Sequence, residues 1–186
     1  MQETLNRETL TTHNSIGIMD ASTLGKIDIQ GPDTAKFLNL IYTNAWIKLG
    51  IGKCRYGLML GEDGMVMDDG VTMGISENHF VMTTTTSGAA KILTWLERWL
   101  QTEWPELKVY LTSVTDHYAA MAISGPKSRE LVAEICPDIA MDSEAFPFMA
   151  MREGNAAGVA ARVMRISFTG ELSYEIHVDS NYARYV

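Results

Sequence analysis

The sequence predicts an α+β fold of antiparallel sheets with helices, arranged as two pseudo-repeated halves. Three observations carry this expectation. Most strands are joined as hairpins, a strand–Gly-Pro–helix unit occurs twice, and no strand is followed by a dinucleotide-type glycine cluster. Gly50, Gly52 and Gly57 lack the G-x-G-x-x-G spacing, which disfavours a doubly wound nucleotide fold.

The elements follow in order. Met1 to Arg7 is polar and lacks the basic-then-apolar pattern of a leader peptide. Lys26 to Gln30 alternates as a strand does, and Gly31-Pro32 then breaks it and opens a helix, since proline suits a first helical turn. The same grammar returns at Ala119 to Ser124 and Gly125-Pro126. A hairpin follows each helix. The first runs from Tyr56 to Ile75 and turns at Gly61-Glu62-Asp63-Gly64; the second runs from Met149 to Val178, with turns expected near Gly154-Asn155 and Thr169-Gly170. Between the repeats, Phe80 to Thr85 is β-branched, Ser87 is placed to cap the next helix, and Pro105 closes it. Ala89, Ile92, Leu93, Leu96 and Leu100 share one face of that helix, and Trp95, Trp99 and Trp104 widen its apolar coverage. The core-facing reading of this stripe outweighs an aromatic cofactor box. We expect one region over 1–186, with pseudo-repeats at about 20–115 and 116–186.

Composition narrows the function. Over 186 residues, 46% are hydrophobic and 20% charged, a globular balance. A net charge of −8 opposes tracking of a phosphate backbone, so no nucleic-acid partner is expected. Cys54 and Cys136 are too few for a disulfide framework, which makes a reducing cytoplasm the simplest compartment. No apolar run approaches a membrane span, and no two of the four histidines have metal-ligand spacing. No metal or membrane contact is expected.

Alternation singles out an acid. From Met65 to Ile75 the odd positions are apolar except for Asp69, whereas the even positions, with Asp68, are small or polar. Asp69 is therefore expected inside. Burying a carboxylate is costly unless it is paired. Three readings stay open: a structural tie to backbone amides or Arg55, a bulge at Gly70 that exposes it, or a ligand-facing acid able to move a proton. Thr83 to Thr86 forms a polar run just before a helix, which either caps that helix or touches a ligand. Glu175 shares a face with Ser173 and His177, opposite Leu172, Tyr174, Ile176 and Val178, and alternation alone makes it solvated. Tyr56 and Phe168 are aromatics beside turns, which usually sit in the core or at its rim.

Several segments in one order resemble the folate-binding family of the glycine-cleavage aminomethyltransferase (T-protein). They are Met19-Asp20-Ala21-Ser22-Thr23-Leu24-Gly25-Lys26, Gly31-Pro32, Tyr42-Thr43-Asn44, Asp63 to Gly70, Ser124-Gly125-Pro126 and Phe168-Thr169-Gly170-Glu171. Within the family, Cys54 to Leu60, the threonine run, Gln101 to Pro105 and Ser167 to Leu172 resemble the sarcosine oxidase alpha branch. Thr23 and Phe168 stand where the T-protein itself typically has His and Tyr.

The resemblance implies tetrahydrofolate as the cofactor of this region, with flavin and NAD elsewhere in an intact complex. It implies Asp69 as the catalytic acid, Glu175 as the pteridine contact, and Tyr56, Thr85 and Phe168 as neighbouring cofactor-binding positions. At Glu175 family and pattern conflict, and the family reading is preferred. Implied partners are the other sarcosine oxidase subunits and the rest of the alpha subunit. The chain is expected to be truncated, because it stops at Val186 before the family's Gly-Leu-Gly-Ala-Arg-Asp-type segment and C-terminal barrel, and the isolated piece is expected to be inactive. An aminomethyltransferase, or a non-catalytic folate-binding module, remains the alternative.

Overall fold

A computed structural model describes residues 2–186. Helices α1 (Gln2–Asn14), α2 (Thr34–Ile41), α3 (Ala89–Thr102) and α4 (Ser128–Ile135) accompany ten strands. The strands are β1 (Gly17–Asp20), β2 (Gly25–Gln30), β3 (Cys54–Leu60), β4 (Val66–Ser76), β5 (His79–Thr84), β6 (Tyr110–Ser113), β7 (Tyr118–Ser124), β8 (Met151–Ala156), β9 (Val159–Met164) and β10 (Ser173–Asp179). They form two five-stranded antiparallel sheets, each belonging to one compact unit. No helix is long and apolar enough to cross a membrane among the described residues.

One unit comprises Thr23–Asp116, with strand order β3-β4-β5-β2-β6. Its core joins Ile27 and Ile29 of β2, Phe80 and Met82 of β5, Phe37 and Leu38 of α2, and Ile92 and Leu96 of α3. Leu96 is fully buried, so Leu96→Ala removes ~3 kcal/mol through lost transfer and a residual cavity. The tryptophans behave as packing residues. Trp95 and Trp99 meet edge to face, Trp99 stacks on Trp104 at 5.3 Å, and Trp104 meets Phe37. Ser87 does not cap α3: Gly88 holds the N-cap position without a side-chain cap, and the Thr85 hydroxyl accepts the Gly88 N–H at 3.1 Å just ahead of the helix.

The other unit comprises the chain up to Ser22 together with His117–Val186, with strand order β1-β7-β10-β9-β8. Ile123, Val163, Tyr174, Ile176 and Val178 pack with Val132 of α4 and with Phe146. The hairpin turn between β8 and β9 falls at Ala157-Gly158, and Gly154-Asn155 lies inside β8. Ala157 (φ +49°) and Gly158 (φ +83°) both adopt the left-handed region of a primed hairpin turn. An alanine at the first position conceals that signal. Asn155 is recruited elsewhere, donating from its backbone and side chain to the Asp138 carboxylate.

Both Gly-Pro units fold as strand, break and helix. Gly31 (φ +130°) and Gly125 (φ +122°) sit against backbone carbonyls that a Cβ would strike, and this explains the residue type at each break. Helix α1 was not foreseen. It buries no side chain, so its sequence carries no apolar stripe to read. Cys136 is fully buried and unpaired, and burial pushes its thiol up to about 11. Alkylation of Cys136 at pH 8 should therefore run roughly 100-fold slower in the native chain than in urea, as mass spectrometry of the labelled peptide would show.

Candidate active site

In the Thr23–Asp116 unit, β4 presents its two adjacent aspartates to opposite faces, as alternation requires, but the more deeply buried of the two is Asp68 and not the expected Asp69. Asp68 is the buried acid at 4% exposure, and Asp69 is half-buried. The row of Asp68, Thr72 and Gly74 faces the packed interior, where Thr72 is fully buried and Met59 lies opposite Asp68. Its residues are small because neighbours come close. A Cβ on Gly74 would meet the Gly50 carbonyl, and one on Gly57, which pairs with Gly70, would meet Trp46 and Tyr42. Smallness here marks close packing and not solvent.

Asp68 is fixed from three directions. Its Oδ1 accepts the N–H of Asp69 at 2.8 Å and of Thr85 at 3.0 Å, and its Oδ2 accepts the Thr85 hydroxyl at 3.3 Å. That hydroxyl in turn receives the Gly88 N–H at the start of α3. The first acid is thus a structural clamp joining β4, the end of β5 and α3, and it pins the backbone of the second. Burial drives the Tyr42 hydroxyl's pKa upward; Thr72 opposes this, and the charges of Asp68 and Asp69 add to it.

Asp69 is tied to neither backbone amides nor Arg55. Arg55 donates to the Ala45 carbonyl and lies over the Trp46 ring. The pairing of β3 with β4 runs in register through Gly70, so no bulge there turns Asp69 outward. Its partner is Tyr56, whose hydroxyl donates to Oδ2 at 2.8 Å. That bond, helped by slight burial and the carboxylate charge, raises the Tyr56 pKa, so the phenol stays a donor through neutral pH. Oδ1 of Asp69 accepts no hydrogen bond from the described residues. The site therefore offers an oriented carboxylate with one open acceptor beside a half-exposed aromatic ring.

The structure brings together Tyr56 and Asp69, with Thr85 linked to them through Asp68. Glu175 and Phe168 belong to the other unit. The solvated reading of Glu175 is overturned, because the residue is 9% exposed on a strand buried on both faces. Its Oε1 lies 2.6 Å from Nε2 of the buried His177. Phe168 is 99% exposed, which the expectation of a core or rim aromatic did not anticipate. Sequence reasoning missed Asp68 as the anchor and His177 as the partner of Glu175. The i, i+2 spacing on one strand face was the available signal for the second.

The GCVT N-terminal domain model matches residues 1–186. Sarcosine oxidase subunit alpha of Corynebacterium sp. (strain U-96) is 50% identical over 96% of this chain and 18% of its own length. An aminomethyltransferase of Listeria monocytogenes is 30% identical over 88% of this chain and 43% of its own length. The chain thus spans about a fifth of the first relative and under half of the second. The crystal structure of glycine cleavage system aminomethyltransferase T from Bartonella henselae has the same fold, with a TM-score of 0.81 at 23% identity, covering 96% of this chain and 46% of that one. Two antiparallel sheets in this arrangement, and a family match running the whole length, place the chain in the GCVT N-terminal domain family.

Proposed function

We propose that this chain is the tetrahydrofolate-binding part of a sarcosine oxidase alpha-type subunit. The reaction is oxidative demethylation of sarcosine, with the one-carbon unit passed to tetrahydrofolate to give 5,10-methylenetetrahydrofolate and glycine. The 50% identity to a sarcosine oxidase alpha subunit supports this substrate class. Flavin and NAD, in this reading, bind elsewhere in the intact cytoplasmic complex, and the partners are the remainder of the alpha subunit and its companion subunits.

The observation that carries the reading is Asp69, held by Tyr56 and leaving one oxygen open. A reduced pterin presents a flat ring and N–H donors, and the residues fit it: an open carboxylate acceptor adjoins a tyrosine ring that is 49% exposed. Bound tetrahydrofolate supplies the nucleophilic amine that captures the one-carbon unit. Asp69 orients that amine and takes up or returns its proton, while its charge stabilises a cation forming nearby. Tyr56 keeps the carboxylate from rotating, and Asp68 keeps its backbone in place. Glu175, Thr85 and Phe168 are further cofactor-binding positions on the family resemblance alone.

Calorimetry of tetrahydrofolate on the full-length complex tests this. Glu175→Ala should weaken binding by at least about tenfold, the value of a hydrogen bond to a charged group. Equal affinity would remove Glu175 from the site, and an absence of binding to the wild type would remove the function. The 30% identity to an aminomethyltransferase supports a second reading, distinguished by flavin-independent methylene transfer from an aminomethyl carrier protein.

A further inference from the structure

Glu175 and His177 project from the same face of β10, the strand flanked by β7 and β9. Both are buried, at 9% and 3% exposure, and Nε2 of His177 lies 2.6 Å from Oε1 of Glu175. Among the described residues, no other side chain or amide donates to this carboxylate, so Oε2 is left open. The cross-strand neighbours explain why. Glu175 faces Ala122 and Met164, which offer no donor. His177 faces Ala120 and Arg162, and Arg162 is engaged elsewhere, with Glu153 at 2.9 Å and the Tyr118 hydroxyl at 3.3 Å. The imidazole is itself held, because the Tyr118 ring stacks on it at 6.5 Å while Arg162 covers Tyr118 at 5.5 Å. A buried carboxylate with one fixed donor has one orientation, and its second oxygen points the same way in every molecule.

We propose that His177 is a positioning residue for ligand recognition: by donating Nε2–H to Oε1 it fixes the Glu175 carboxylate and presents Oε2 as the acceptor for an N–H of a pteridine ring. The inference rests on the reading of Glu175 as a pteridine contact and adds the residue that makes that contact selective. The column Glu153–Arg162–Tyr118–His177–Glu175 is then one device across a sheet face. Its outer ion pair locks the tyrosine, the tyrosine locks the imidazole, and the imidazole aims the carboxylate.

The test is a coupling cycle read by tetrahydrofolate calorimetry on the full-length protein, with thermal melting run in parallel. Glu175→Gln and His177→Leu should each weaken binding by roughly tenfold, the effect of losing one charge-assisted bond. The double variant should bind no more than about twofold worse than Glu175→Gln alone, because both changes remove the same interaction. His177→Gln, whose amide can still donate, should recover most of the affinity. If His177→Leu fails to fold, His177→Asn, too short to reach Glu175, takes its place in the cycle. Affinity within about twofold of wild type for His177→Leu, or losses that multiply in the double variant, would overturn the positioning role while leaving Glu175 in place. No effect of Glu175→Gln would overturn the Glu175 reading and this inference with it.

Discussion

Asp69→Asn should slow folate-dependent product formation by about 10²–10³-fold while weakening tetrahydrofolate binding by less than about tenfold. The reason lies in what the substitution keeps. Asparagine has the same shape, and its amide oxygen still accepts from the Tyr56 hydroxyl that holds Oδ2 at 2.8 Å. What disappears is the negative charge and the capacity to take up a proton, and both matter more in the transition state than in the bound complex. Single-turnover rates of methylenetetrahydrofolate formation, set beside calorimetric affinities, separate the two quantities. A variant that turns over at the wild-type rate would reassign the region to a non-catalytic folate-binding module.

Gly88→Ala should destabilise the Thr23–Asp116 unit by about 2–4 kcal/mol, more than alanine's ordinary disadvantage to glycine at an N-cap explains. The backbone at Gly88 (φ −82°, ψ −20°) suits alanine, so strain does not enter. The obstacle is steric and specific. The new Cβ would stand 1.8 Å from Oδ2 and 2.9 Å from Cγ of Asp68, and 2.7 Å from the Thr85 hydroxyl. To make room, the buried carboxylate must abandon the Thr85 and Asp69 donors that satisfy it, which leaves a charge without partners. Urea unfolding measures the loss. In the Asp68→Ala background the same substitution should cost only about 1 kcal/mol more, since the carboxylate clash and the stranded charge are gone and only the Thr85 hydroxyl stays close. Fully additive losses would show that Gly88 acts through something other than this clamp.

Much of this architecture was legible. The two Gly-Pro breaks, the first hairpin and the apolar stripe of α3 are local signals, set by backbone conformation and by a 3.6-residue period. What failed required knowing which neighbour approaches. Alternation separated Asp68 from Asp69 correctly, but it could not say that Tyr42 and Trp46 would press against Gly57 and turn the row of small residues inward. Likewise β10 is buried on both faces, and its polar row of Ser173, Glu175 and His177 imitates a solvated edge when read alone. Helix α1 and the Ala157-Gly158 turn left weak traces, one lacking an apolar face and the other placing an ordinary residue at positive φ.

The pairing of β1 with β7 has a consequence for how the chain matures. Gly17–Asp20 leaves the ribosome about a hundred residues ahead of the strand it must join, whereas every strand from β2 to β6 finds its partners within Thr23–Asp116. Vectorial synthesis thus lets Thr23–Asp116 collapse first, while Gly17–Asp20 waits with unsatisfied amides. Until β7 arrives β1 is unpaired on both sides, and a chaperone holding the emerging chain should make its most persistent contact at Ile18 and Met19, which stay exposed even in the finished sheet.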